Sequence, residues 1–180
     1  ELYDKIVLVK EMDTRNINVI TLAYLGDAIY EVYIRKYLIE KGIALVEDLQ
    51  KEAVKYVSAK GQANILRRLM EENKLSLEEI EVVKRGRNYK RGNHPRNTDI
   101  ITYKNSTGFE ALIGYLYLEE KRERLEEIID KILEDENEKD ISEADKQEED
   151  GEEEKSEEEE KSQNDDKKDE DWYSRVIKWN

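Results

Sequence analysis

Three carboxylates stand out, because apolar surroundings make them costly. The window Val19 to Ile34 is apolar almost all round, and its only charges are Asp27 and Glu31, one helical turn apart. The window Gly108 to Leu118 has the same character and a single charge, Glu110. Burying a lone carboxylate is unfavourable unless a cation, a donor or water compensates it. Two such helices suggest one shared site for an oxygen-preferring ion such as Mg²⁺. The competing reading pairs the acids with Arg or Lys, or leaves them on a solvated strip. Glycines adjoin both acids: Gly26 precedes Asp27, and Gly108 and Gly114 flank Glu110. Glycine inside a helix often marks a close backbone approach. Two helices crossing there would bring Asp27 and Glu110 together, unless the glycines serve tight packing alone.

A basic run is the third chemical feature. Lys84 to Arg96 reads KRGRNYKRGNHPR, six cations and no acid. A helix end running into a basic loop suits phosphate contacts; the bland alternatives are a solvated loop, or cations serving the helix C-terminus. The candidate nucleic-acid contacts are Arg85, Arg87, Asn88, Lys90, Arg91, Arg96 and Lys104. His94, the sole histidine, is a surface or RNA-contacting residue rather than a ligand or general base. Tyr24, Tyr30, Tyr33, Tyr37, Tyr115 and Tyr117 fall at helical spacings and suit core or subunit interface better than a binding platform.

Composition narrows the classes. The absence of cysteine excludes disulfide scaffolds and zinc-thiolate sites, and one histidine argues against a His-dependent triad or a multi-histidine metal site. The longest apolar run, Val19 to Gly26, is far short of the roughly 20 residues of a membrane helix. No signal peptide is visible, and the expected location is cytoplasmic. The net charge of −14 belongs wholly to the C-terminal end: residues 1–133 hold 23 basic and 23 acidic residues, residues 134–180 hold 8 and 22.

The elements that must position these groups are helices. Long 3.6-period segments with few turn signals predict an all-α domain over 1–133. Helices are expected from Ile17 to Lys41, with Gly42 closing the first; from Val46 to Tyr56; from Ser58, a plausible cap, to Asn73; and from Ser76 to Arg87, with Glu79 completing a capping box. A loop over Asn88–Asn105 should contain Gly92 and Pro95. Asn105 or Ser106 is expected to cap a helix to Glu120, and the last helix should run from Arg122 to about Asp135. Residues 134–171 are expected to be an acidic disordered tail, having only Ile141 and Ala144 as apolar side chains up to Asp171. Residues 172–180, WYSRVIKWN, place Trp172, Val176 and Trp179 on one helical stripe. The tail is either a solubilising segment with a sticky end, or a polyanion competing with RNA for the basic loop and carrying a docking motif.

These residues carry a resemblance. LAYLGDAIYEVYIRKYL (Leu22–Leu38) resembles the signature helix of the ribonuclease III family, built on a Leu-Gly-Asp core. FEALIGYLYL (Phe109–Leu118) resembles its second motif, and VSAKGQA (Val57–Ala63) and KRGRN (Lys84–Asn88) fall between in the expected order. The match covers about residues 14–133 and is best with the branch that has the nuclease domain but no double-stranded-RNA-binding domain. It implies a ribonuclease III helical bundle and a homodimeric endoribonuclease cutting double-stranded RNA with Mg²⁺, Mn²⁺ substituting, to leave 5′-phosphate and 3′-hydroxyl ends. It implies that Asp27 is a catalytic metal ligand and Glu110 another, and it points to precursor large-subunit ribosomal RNA as substrate. Two acids of fuller family members are absent: Ala23 and Thr107 stand in their places. Glu31 could compensate, although the motif gives it no such role. The alternatives are a non-catalytic helical RNA-binding or scaffold protein on the same fold, and a metal-dependent nuclease acting on DNA.

Overall fold

A computed structural model describes residues 13–89 and 99–149. They form a short 3₁₀ turn at Thr14–Asn16 and six helices: α1 Val19–Glu40, α2 Val46–Val57, α3 Ala59–Glu71, α4 Leu77–Arg87, α5 Ile100–Leu118 and α6 Arg122–Glu149. No strand occurs among the described residues, and no helix among them is long and apolar enough to cross a membrane. The all-α expectation is met. Lys90, Arg91, Gly92, His94, Pro95 and Arg96, the tail from 150 and the Trp172–Asn180 motif lie outside the described residues.

The ends of these helices follow from side-chain chemistry. Asn18 caps α1 by accepting from the Ile20 N–H at 3.0 Å, and Gly42 closes it at φ +89°, a conformation L side chains rarely adopt. Ser58 caps α3 through the Gly61 N–H at 3.1 Å. The Ser76/Glu79 capping box is present as the spacing predicts: the Glu79 N–H donates to Ser76 Oγ at 3.2 Å, and the Ser76 N–H donates to Glu79 Oε2 at 2.8 Å.

Two boundaries differ from the sequence expectation. Helix α5 begins at Ile100, not at Ser106. Asp99 accepts from the Ile101 and Thr102 N–H groups at 2.9 and 2.8 Å, so the cap lies nearly two turns earlier. Ser106 and Thr107 sit inside the helix, and each hydroxyl donates to the Tyr103 carbonyl at 2.9 Å. Lys104 is therefore a helical residue. Helix α6 runs to Glu149 instead of ending near Asp135, because Glu, Lys, Gln and Ala form helix readily and because its middle is anchored. Glu136 pairs with Arg68 of α3, and Asn137 Oδ1 accepts from Tyr37 Oη at 2.6 Å and Lys41 Nζ at 3.0 Å. The acidic run expected to be disordered from Glu134 thus begins as the last turns of a helix.

Helix α5 is the axis of the domain. From Asn105 to Leu116 every residue is buried except Glu110. Helix α1 crosses it backbone to backbone. A Cβ on Gly26 would stand 1.8 Å from the Glu110 carbonyl oxygen, and one on Gly114 would stand 2.0 Å from the Leu22 carbonyl oxygen. The two helices are antiparallel, since Leu22 meets Gly114 and Gly26 meets Glu110. Tyr30 and Phe109, both fully buried, meet edge to face across the same interface with ring centroids 4.9 Å apart. Helix α4 packs on the middle of α5, with Gly86 against Thr107, Gly108 and Ala111. Helix α3 supplies Leu66, Leu69 and Met70 to the core, and α6 supplies Leu125, Ile128, Ile129 and Ile132.

Helices α4 and α6 are joined by a partly buried ion pair. Arg124 Nε and Nη2 donate to Glu79 Oε1 and Oε2 at 2.8 and 3.0 Å, a bidentate pair in which the Glu79 side chain is 5 % exposed. Burial alone would raise the Glu79 carboxyl, but the Arg124 guanidinium and the Ser76 N–H outweigh it and hold it below the usual carboxylate range. Its contribution to stability is therefore complete above the ordinary carboxylate value and lost as pH falls through the lower folded one. Glu79→Gln should cost about 2 kcal/mol at pH 7, measured by urea unfolding, with the gap to wild type narrowing as pH falls below the ordinary carboxylate value. Gly26→Ala would gain about 1 kcal/mol in an isolated helix. Here the added methyl meets backbone, and the expected result is a loss of at least about 4 kcal/mol or no folded protein.

Candidate active site

The crossing that builds the core also builds the site. Gly26 presses on the Glu110 carbonyl, so the next residue on α1, Asp27, and Glu110 on α5 flank a single contact point. Both are half-buried, and Glu110 is the one break in the buried stretch of α5. The helices do cross at the glycines, as the sequence reading expects.

The electrostatics of Asp27 follow from its surroundings. Burial pushes its carboxyl above the ordinary value, and the negative charge of Glu31 adds to this; the Gln62 amide works in the other direction. Glu31 itself is ion-paired with Arg35, one turn further along α1, so its charge is directed outward. The two positions where fuller family members carry acids are closed to ligand chemistry. Ala23 is 3 % exposed, and the Thr107 hydroxyl donates to its own helix. Among the described residues no group of three or more His, Cys, Asp or Glu could hold a metal. What remains is a pair of carboxylates on rigid helices, an all-oxygen donor set. Such a pair suits a hard cation that retains most of its water, and suits a thiophilic or imidazole-seeking metal poorly.

The basic residues are more varied than the run suggests. Arg85 Nη2 donates to the Ile17 carbonyl at 2.9 Å, tying α4 to the chain entering α1. Arg87 Nε donates to Asn105 Oδ1 at 3.0 Å and so links α4 to the buried stretch of α5. Asn88 is exposed and ends α4, its N–H donating to the Lys84 carbonyl at 2.9 Å. Lys104 is half-buried on the second turn of α5. Of the tyrosines, Tyr30 and Tyr115 belong to the core, whereas Tyr24 is 82 % and Tyr117 49 % exposed.

Sequence reasoning missed Gln62. It occupies the first turn of α3, 1 % exposed, with its amide toward Asp27. The signal was its place in VSAKGQA: Ser58 as cap fixes the helical frame, and Gly61 packs against the end of α2 so closely that a Cβ would stand 2.2 Å from the Lys55 carbonyl oxygen. Residue 62 is turned inward by both.

The similarities to known proteins agree with this geometry. The Ribonuclease III domain family matches residues 20–121. A Mini-ribonuclease 3 of Streptococcus pneumoniae is 48 % identical over 118 residues, covering 66 % of this chain and 92 % of the relative. One of Brevibacillus brevis is 52 % identical over 123 residues, covering 67 % and 90 %. A crystal structure of a Fusobacterium nucleatum protein superimposes with a TM-score of 0.62 at 36 % identity, covering 70 % of this chain and 99 % of that one. Enzymes of the family act on double-stranded RNA with a divalent metal ion, generally as dimers. With Asp27 and Glu110 at one helix crossing and the family match spanning both helices, this chain belongs to the ribonuclease III family, in its Mini-ribonuclease 3 branch, and is an endoribonuclease.

Proposed function

We propose that the chain is a Mg²⁺-dependent, homodimeric endoribonuclease that cuts double-stranded RNA in the maturation of precursor large-subunit ribosomal RNA. The observation that carries the site assignment is the α1–α5 crossing at Gly26 and Gly114, which sets Asp27 beside the Glu110 backbone. In this reading Asp27 and Glu110 hold the cation, which when bound neutralises charge at the scissile phosphate and activates the attacking water. The rest is done by the protein. The two helices fix the carboxylates without mobile loops, and the core beneath them keeps bulk water to one side. Tyr24, three residues before Asp27, is largely exposed on the same helix, which supports a second copy covering that neighbourhood.

Duplex RNA is recognised by shape, phosphates and 2′-hydroxyls, and cations on the domain itself are suited to meet its backbone. The run from Lys84 to Arg96 supplies them. Arg85 and Arg87 also hold α4 in place, so Lys90 and Arg91 are the cleaner probes. Replacing both by Ala should weaken duplex binding and lower the log–log salt slope by about one for each phosphate that the segment no longer neutralises; an unchanged slope would remove this segment from the interface.

Asp27→Asn tests the site. Asn is isosteric but a poor anionic ligand, and cleavage of matched duplex RNA in Mg²⁺ should fall at least about 100-fold, with duplex DNA and single-stranded RNA uncut throughout. The same variant should be more stable than wild type in metal-free buffer at pH 7. The Asp27 carboxyl is pushed up on folding, so its ionised form disfavours the folded state above that value, and a neutral side chain removes the penalty. The gain should vanish below about pH 4, where wild-type Asp27 is protonated in both states. Activity within tenfold of wild type would remove Asp27 from the reaction.

A further inference from the structure

One buried polar group near the site has no part in the reading above. Gln62 is 1 % exposed, and its Nε2 has no partner at full hydrogen-bond geometry, although its amide lies within reach of the Asp27 carboxyl. Buried side-chain donors nearly always find a partner, and an unsatisfied one lowers stability. A leucine or methionine would fill the volume, among Ala63, Ile65 and Leu66, without that penalty. The donor is held firmly: the Ser58 cap and the Gly61–Lys55 contact lock the first turn of α3 against the end of α2. The charged group it faces is Asp27. Glu31, the other acid nearby, is engaged by Arg35. The Gln62 side chain is too deeply buried to reach a nucleic acid.

We propose that Gln62 is a positioning residue for Asp27: α3 presents its Nε2–H to the Asp27 carboxylate, which fixes the rotation of that carboxylate and turns its outward oxygen toward the cation. The proposal rests on the reading of Asp27 as a cation ligand. Carboxylates that bind metal are commonly steadied in this way by a hydrogen bond from behind, and loss of that bond typically weakens metal binding by about 10–100-fold. It explains why an amide is kept where a hydrocarbon would pack better, since a donor that is poorly satisfied by the protein alone is retained for the loaded site.

The test uses the full chain without RNA. Mn²⁺ binding is followed by calorimetry or electron paramagnetic resonance for wild type, Gln62→Leu, Gln62→Met and Asp27→Asn. The acidic tail will bind Mn²⁺ weakly, and Asp27→Asn measures that background. Both Gln62 variants should bind Mn²⁺ at the site at least about tenfold more weakly, with a metal-free melting temperature equal to or above that of wild type. The Mg²⁺ concentration for half-maximal cleavage should rise in parallel, while the rate at saturating Mg²⁺ changes less. The methionine variant is flexible enough to be accommodated if leucine is not. Unchanged Mn²⁺ affinity in a folded Gln62 variant, beside clear loss in Asp27→Asn, would overturn the proposal and leave the site reading standing. A fall in melting temperature that tracks the loss of metal binding would make Gln62 a structural residue and overturn it also. Site binding that survives Asp27→Asn would overturn the site reading itself, and the proposal with it.

Discussion

Where α1 and α5 meet, two backbones touch with no side chain between them. Gly26 lies on the Glu110 carbonyl and Gly114 on that of Leu22, at distances that leave no space for a methyl group. Each glycine lowers intrinsic helix stability by about 1 kcal/mol relative to alanine, and the packing of the two helices must offset this. Helix α5 is inaccessible along just over three turns, with Glu110 the only residue there that reaches partly outward. The contact places Asp27 at the same point from the other helix. A wider crossing would separate the two acids, admit water between the helices, and open the Tyr30–Phe109 contact beside it. Core and site are thus a single geometric condition.

The remaining helices hold that condition in place. Helix α4 is fixed to α5 through its own glycine contact and through Arg87 and Asn105, to α6 through Glu79 and Arg124, and to the chain before α1 through Arg85. Helix α3 brings Gln62 beneath Asp27. The electrostatic balance differs between these places. Glu79 is paired with Arg124 and held low, whereas burial and the charge of Glu31 push Asp27 up.

Much of this was legible in the residues. Glycines within apolar helices, each beside an acid, pointed to one crossing, and the Ser76/Glu79 spacing gave the start of α4. The start of α5 was hidden because Asn105-Ser106 has the chemistry of a cap; burial of that turn reversed the choice in favour of Asp99, and nothing local in Ile100–Lys104 announced it. Arg85 and Arg87 looked like free phosphate contacts because charge patterns do not show which cation has a carbonyl or an amide within reach. Gln62 was invisible for a related reason. A neutral amide gives no signal in a charge pattern, and its importance depends on a helix that is distant in sequence from Asp27 and adjacent in space.

The pairing of Arg68 with Glu136 has a consequence for the edge of the domain. Arg68 is largely buried, its Nε and Nη1 already lack hydrogen bonds, and its ion-pair partner belongs to the stretch that composition assigns to the tail. A chain shortened at Leu133 would keep a complete apolar core and still leave a guanidinium inside it without its counter-charge. The natural stopping point for this fold is therefore set by charge neutrality rather than by hydrophobicity. It lies beyond Asn137, which ties the same turn of α6 to Tyr37 and Lys41.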